Sequence, residues 1–212
     1  MMDFTPFVEQ IKSKYKKKQQ KTFDAIECFD SLQLASLGSN DTEGYQVFTP
    51  EFIVKQMTES IGDEILDFSK NVLEPTSGDG AFTTYILRKR LETIEDNFEI
   101  DSLKALATIY SIEMDKDLIV KQRSNIFTLI KMFVAERKID VDPSYFDMIK
   151  CIITSNFLWA MFNSDFPIGG FIIDVAYKMP NAEKKDYRTL DFPVWSISKE
   201  NISVHEEGVE IW

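Results

Sequence analysis

The stretch best equipped for chemistry is Glu74-Pro75-Thr76-Ser77-Gly78-Asp79-Gly80-Ala81-Phe82. Gly78 and Gly80 remove side chains where a ligand must approach the backbone, and they permit positive φ angles. A helix that starts just after them points free backbone N–H groups at the same place, which favours a ligand carboxylate or phosphate. Glu113 ends the run Ile109-Tyr110-Ser111-Ile112-Glu113, about 33 residues after Gly80. A carboxylate on the strand beside a glycine loop can accept both hydroxyls of a ribose. Two glycines alone are a weak signal, because many buried strands run into a helix this way. Glu113 at this spacing strengthens it.

These residues need elements to hold them. Asn71, Val72, Leu73 and Glu74 read as a short apolar strand that delivers the loop. The spacing predicts a helix over 81–95, a strand over 105–113, a helix over 116–138 and a strand over 146–154. Strand, helix, strand, helix, strand is the pattern of a doubly wound parallel sheet, so the fold class is α/β. Further strands are expected over 169–177 and as a hairpin over 191–212, both finishing the sheet. Upstream, Thr49-Pro50-Glu51 reads as a helix start, with Phe52, Ile53, Met57 and Ile61 following at helical spacing. Residues 38–44 are rich in turn formers and read as a linker. Two units follow: a helical N-terminal appendage over 1–40, and the α/β domain over 45–212.

The bulk numbers narrow the class. The chain has 212 residues, 44% hydrophobic, enough for a sizeable core. Two cysteines, Cys28 and Cys151, make a disulfide framework a poor fit, and the single His205 has no zinc-like spacing around it. No metal is expected. The N-terminus lacks the pattern of a signal peptide and no apolar run is long enough to cross a membrane, so a cytoplasmic protein is expected. The net charge of −11 gives no general attraction to nucleic acid. Against that balance, Lys12, Lys14, Lys16, Lys17, Lys18 and Lys21 fall within ten positions. The run reads as a solvated helix face, as a phosphate-contacting arm, or as a docking helix for a partner.

Three segments together resemble a known family. They are Phe48-Thr49-Pro50-Glu51-Phe52-Ile53-Val54, then 72–82, then Tyr110-Ser111-Ile112-Glu113-Met114-Asp115. Their order and spacing look like the amino-terminal half of adenine-specific DNA methyltransferases of restriction–modification systems. The resemblance covers about residues 45–160. It implies a Rossmann-like sheet that binds S-adenosylmethionine. Thr49 and Pro50 would lie beside the methionine moiety. Glu74, Gly78, Asp79 and Gly80 would form the pocket floor, with Phe82 packed against it. Glu113 would hold the ribose, and Met114 would flank the adenine ring.

The family's catalytic motif is Asn or Asp, two prolines and an aromatic. The resemblance aligns Thr154-Ser155-Asn156-Phe157-Leu158-Trp159 with it, at the end of the strand expected over 146–154. Asn156 would accept hydrogen bonds from the target amino group, and Trp159 would stack on a flipped base. Phe157 and Leu158 replace the prolines, which changes the turn. After Asn156 56 residues follow, so a target-reading domain is not expected and a partner subunit would supply recognition. The expectation is an S-adenosylmethionine-dependent methyltransferase acting on adenine in DNA. DNA would be held through the run from Lys12 to Lys21 or through the partner. The alternative is a catalytically silent or partner-dependent subunit that still binds the cofactor. A polar cap followed by a buried aromatic stretch explains Asn156 and Trp159 without catalysis.

Overall fold

The computed structural model describes residues 1–35, 48–162, 175–176 and 193–205. Its centre is a parallel sheet of three short strands in spatial order β1 (Val72–Glu74), β2 (Ile109–Glu113), β3 (Phe157–Trp159). Val72 pairs with Ile109 and Glu74 with Ser111, while Ser111 pairs with Phe157 and Glu113 with Trp159. Every residue of β2 is buried, as a central parallel strand covered on both faces requires. The fold is therefore α/β with a parallel sheet, and seven α-helices lie among the described residues.

Helix α3 (Glu51–Ile61) follows Pro50, whose extended backbone fits the position before a helix. Helix α4 (Ala81–Glu92) leaves the glycine loop, and α5 (Phe98–Ala107) leads into β2. Helix α6 (Lys116–Glu136) is capped by Asp115, whose carboxylate accepts the N–H groups of Asp117 and Leu118. Arg90 on α4 has no accessible surface; its guanidinium donates to the carbonyls of Ile65, Asp67, Lys70 and Ala105 and to the Thr108 hydroxyl. It thereby ties the approach to β1 to the approach to β2. Burial holds its pKa down at about 10.

Three expectations need correcting. Residues 146–154 are not a strand but lie in α7 (Pro143–Asn156). Asp142 accepts the Ser144 N–H, Pro143 occupies the first turn, and the buried Tyr145, Met148, Ile149, Ile152 and Ile153 recur at helical spacing. The third strand, β3, begins only at Phe157. The strand expected over 105–113 is shorter too, because Ala105, Leu106 and Ala107 close α5.

Helices α1 (Thr5–Lys12) and α2 (Lys17–Asp24) pack against α7, and Phe4, Val8, Ile11, Phe23 and Ile26 share one core with Ile149, Ile152 and Phe157. The boundary expected between residues 40 and 45 lies outside the described residues.

Among the described residues the tail does not extend the parallel sheet. Strands β4 (Met161–Phe162) and β5 (Val175–Ala176) form one antiparallel pair; the rest of the strand expected over 169–177 lies outside the described residues. Strands β6 (Val194–Ile197) and β7 (Ile202–His205) form the expected hairpin as a separate ribbon, with 206–212 outside the described residues. Among the described residues no helix is long and apolar enough to cross a membrane, and no cluster of His, Cys, Asp or Glu is set to hold a metal.

Candidate functional site

The glycine loop sits at the carboxyl edge of the sheet, where the Ser77 N–H donates to the Ile112 carbonyl at 3.1 Å. A buried polar network fixes it. Ser77 Oγ donates to Gln122 Oε1 at 2.9 Å and lies 2.7 Å from Ser111 Oγ, while Gln122 Nε2 donates to Thr83 Oγ1 at 2.9 Å. Both glycines are required. Gly78 has φ +57° and Gly80 has φ +87°, and a Cβ on Gly80 would stand 2.5 Å from Gln122 Cγ. The Phe48 ring covers the loop, 3.9 Å from where a Cβ of Gly78 would be.

Three carboxylates surround the loop. Glu74, at the end of β1, accepts the Thr83 N–H at 3.1 Å. Burial pushes its pKa up to about 8, with the negative charges of Asp79 and Glu113 adding to the rise. Glu113 accepts the Gly78 N–H at 2.7 Å on one oxygen and the Asp115 N–H at 2.8 Å on the other. The carboxylate expected to hold a ribose thus also holds the loop, and each oxygen keeps a second lone pair. Asp79 is buried, accepts the Ala35 N–H at 2.6 Å, and has Lys121 Nζ at 3.8 Å. The Asp79 and Glu113 carboxylates disfavour a phosphate here and favour a cation, and Glu74 adds its charge only as pH approaches about 8.

A cleft of about 320 Å3 opens beside the loop. Leu34, Thr49, Pro50, Val54, Ala81 and Tyr85 form much of its wall; Thr49 and Pro50 thus line it, whereas Glu74, Gly78, Asp79, Gly80, Phe82, Glu113 and Met114 do not. Glu51 and Arg88 also line it, from α3 and α4 respectively. An acid and a base on facing helices complement a zwitterion such as the α-amino acid end of a ligand. Phe82 is half-buried at the start of α4, and Met114 is 63% exposed at the end of β2, free to lie against a flat ring.

The structure separates the two expected catalytic residues. Asn156 is the last residue of α7 and stands before β3, not after it. Its amide donates to the carbonyls of Ala107 and Ile109 at 2.9 and 3.1 Å and accepts the Trp195 indole N–H at 2.8 Å. Ile109 opens β2 and Glu113 closes it, so about 13 Å of strand lies between Asn156 and the loop's edge. A fully buried amide with its donors and acceptor engaged is a structural cross-brace between α7 and β2. Trp159 does reach the carboxyl edge. Its indole N–H donates to the Met114 carbonyl at 2.9 Å, and Lys18 Nζ lies 5.1 Å from its ring centre. Lys14, Lys16, Lys17, Lys18 and Lys21 are exposed, and Lys18 stands at this edge through its contact with the Trp159 ring.

Sequence reasoning missed Gln122 and Asn125, both fully buried on α6. Their signal was a polar run, Gln122 to Asn125, set between the apolar Ile119 and Ile126 of one helix. Asn125 Nδ2 donates to the Asp79 carbonyl at 3.2 Å. Compared with protein-family models, curated proteins and solved structures, the chain matches none.

Proposed function

We propose that this chain is a Rossmann-like S-adenosylmethionine-binding domain of the adenine-DNA methyltransferase type, working in a restriction–modification system. The observation that carries the reading is the ring of Glu74, Asp79 and Glu113 around a glycine loop at the carboxyl edge of a parallel sheet. A sulfonium is a cation on a nucleoside, and it fits that ring where a nucleotide phosphate does not. The cleft supports the same assignment. Its apolar wall suits a thioether chain, and Glu51 and Arg88 suit the ammonium and carboxylate at the chain's end. When bound, the cofactor supplies an electrophilic methyl group. The chain's residues orient it, and Trp159 with Lys18 offers an aromatic and cationic surface toward DNA.

The placement of Asn156 favours a second reading within this class. A domain whose aligned acceptor is locked at the opposite edge binds the cofactor and depends on another group, from a partner subunit, for transfer to adenine.

Titration calorimetry with S-adenosylmethionine, S-adenosylhomocysteine and ATP separates the possibilities. The expected order is S-adenosylmethionine strongest, S-adenosylhomocysteine weaker and ATP undetectable. Arg88→Gln should weaken the first two without destabilising the fold. Tighter binding of ATP would sink the reading. Methyl transfer to duplex DNA by the isolated chain would sink the partner-dependent version.

A further inference from the structure

Residues 27–35 cross the flank of α6 in a way that side-chain burial does not explain. None of these nine residues is fully buried. They are held largely through their backbone. The Glu27 N–H donates to Ser124 Oγ at 3.2 Å, the Phe29 N–H to Thr128 Oγ1 at 2.9 Å, and the Gln33 N–H to Asn125 Oδ1 at 2.8 Å. Ser124, Asn125 and Thr128 are themselves buried polar residues of α6. The strap ends at the glycine loop, where the Ala35 N–H meets Asp79 and where Leu34 and Ala35 wall the cleft. Asn125 joins the two structures, because its Nδ2 donates both to the Gln33 carbonyl and to the Asp79 carbonyl, each at 3.2 Å.

We infer that residues 27–35 are a strap whose docking is linked to ligand binding in the cleft, with Asn125 as the positioning residue that couples strap to loop. This rests on the cofactor reading given under Proposed function. A segment held by a few hydrogen bonds and little apolar burial opens at low free-energy cost. A ligand against Leu34 and Ala35 binds only the docked form, so it stabilises docking. Anything that undocks the strap then lowers the apparent affinity in proportion to the docked fraction it removes. The residues that tune affinity then include Ser124 and Thr128, neither of which lines the cleft.

The test uses the full chain and S-adenosylhomocysteine. Amide exchange at Gln33 and Ala35 should slow about tenfold at saturating ligand, as loss of a hydrogen bond or two would imply. The Ser124→Ala, Thr128→Val double variant, if it leaves about a tenth of the strap docked, should bind S-adenosylhomocysteine about tenfold more weakly, with faster strap exchange in the free protein. A merely structural strap would lower the melting temperature and leave affinity unchanged. Binding by the unmodified chain without slowed strap exchange overturns the linkage and leaves the cofactor reading intact. No binding at all overturns both. If the double variant does not fold, the exchange measurement on the unmodified chain decides alone.

Discussion

Removing the charge at Glu74 gives a sharply defined outcome. The carboxyl has an ordinary pKa of 4.5, and burial in the fold lifts it to about 8. The fold therefore favours the protonated form. Below pH 4.5 both folded and unfolded chains hold the proton and the full stability is present. As pH rises from 4.5 toward 8 the unfolded chain releases it and the native chain does not, so stability falls. The full shift corresponds to at most about 5 kcal/mol, and relaxation around a buried charge brings the expected loss to about 2–5 kcal/mol. Glu74→Gln keeps an oxygen to accept the Thr83 N–H and cannot ionise. Urea unfolding of both proteins from pH 5 to 8.5 reads the difference, and groups common to both cancel. The variant should gain on the wild type steadily with pH, level near pH 5 and clearly ahead by pH 8. A stability difference independent of pH would refute the argument that desolvation keeps the half-buried Glu74 protonated.

Other outcomes follow from the same geometry. S-adenosylmethionine should bind more tightly as pH rises toward about 8, because its positive charge favours the ionised Glu74, whereas S-adenosylhomocysteine should show a flatter calorimetric profile. Gly80→Ala should cost about 2–4 kcal/mol in urea unfolding, since a Cβ there meets the anchored Gln122 at a positive φ. Asn156→Ala should cost about 2–4 kcal/mol by the same measurement, through the orphaned Trp195 N–H and two carbonyls, yet leave calorimetric cofactor affinity unchanged. Changing Lys14, Lys16, Lys17 and Lys21 to Gln should weaken duplex DNA binding in gel retardation and flatten its salt dependence, with unfolding unaltered.

The glycine loop, Glu113 and the Thr49-Pro50 segment were legible because local rules govern them: positive φ demands glycine, and β1 with β2 brings their ends together. The third strand was not. An apolar run from 146 to 154 reads as a strand unless Asp142-Pro143-Ser144 is recognised as a helix start, and that one misreading moved Asn156 to the wrong end of β3. The strap was illegible for a different reason. Its partners on α6 lie about 90 residues away in sequence, and a backbone N–H bonding to a distant side chain leaves no pattern in its own segment.

The junction of α7 with β3 has a mechanical consequence. Helix hands over to strand between Asn156 and Phe157 with no intervening loop, so the two move as one lever. Helices α1 and α2 rest on the long arm, and Trp159 is at the tip of the short one. A load applied to the N-terminal helices would pass by packing into α7, along the covalent junction into β3, and through strand pairing to the rim where Met114 and Glu113 stand.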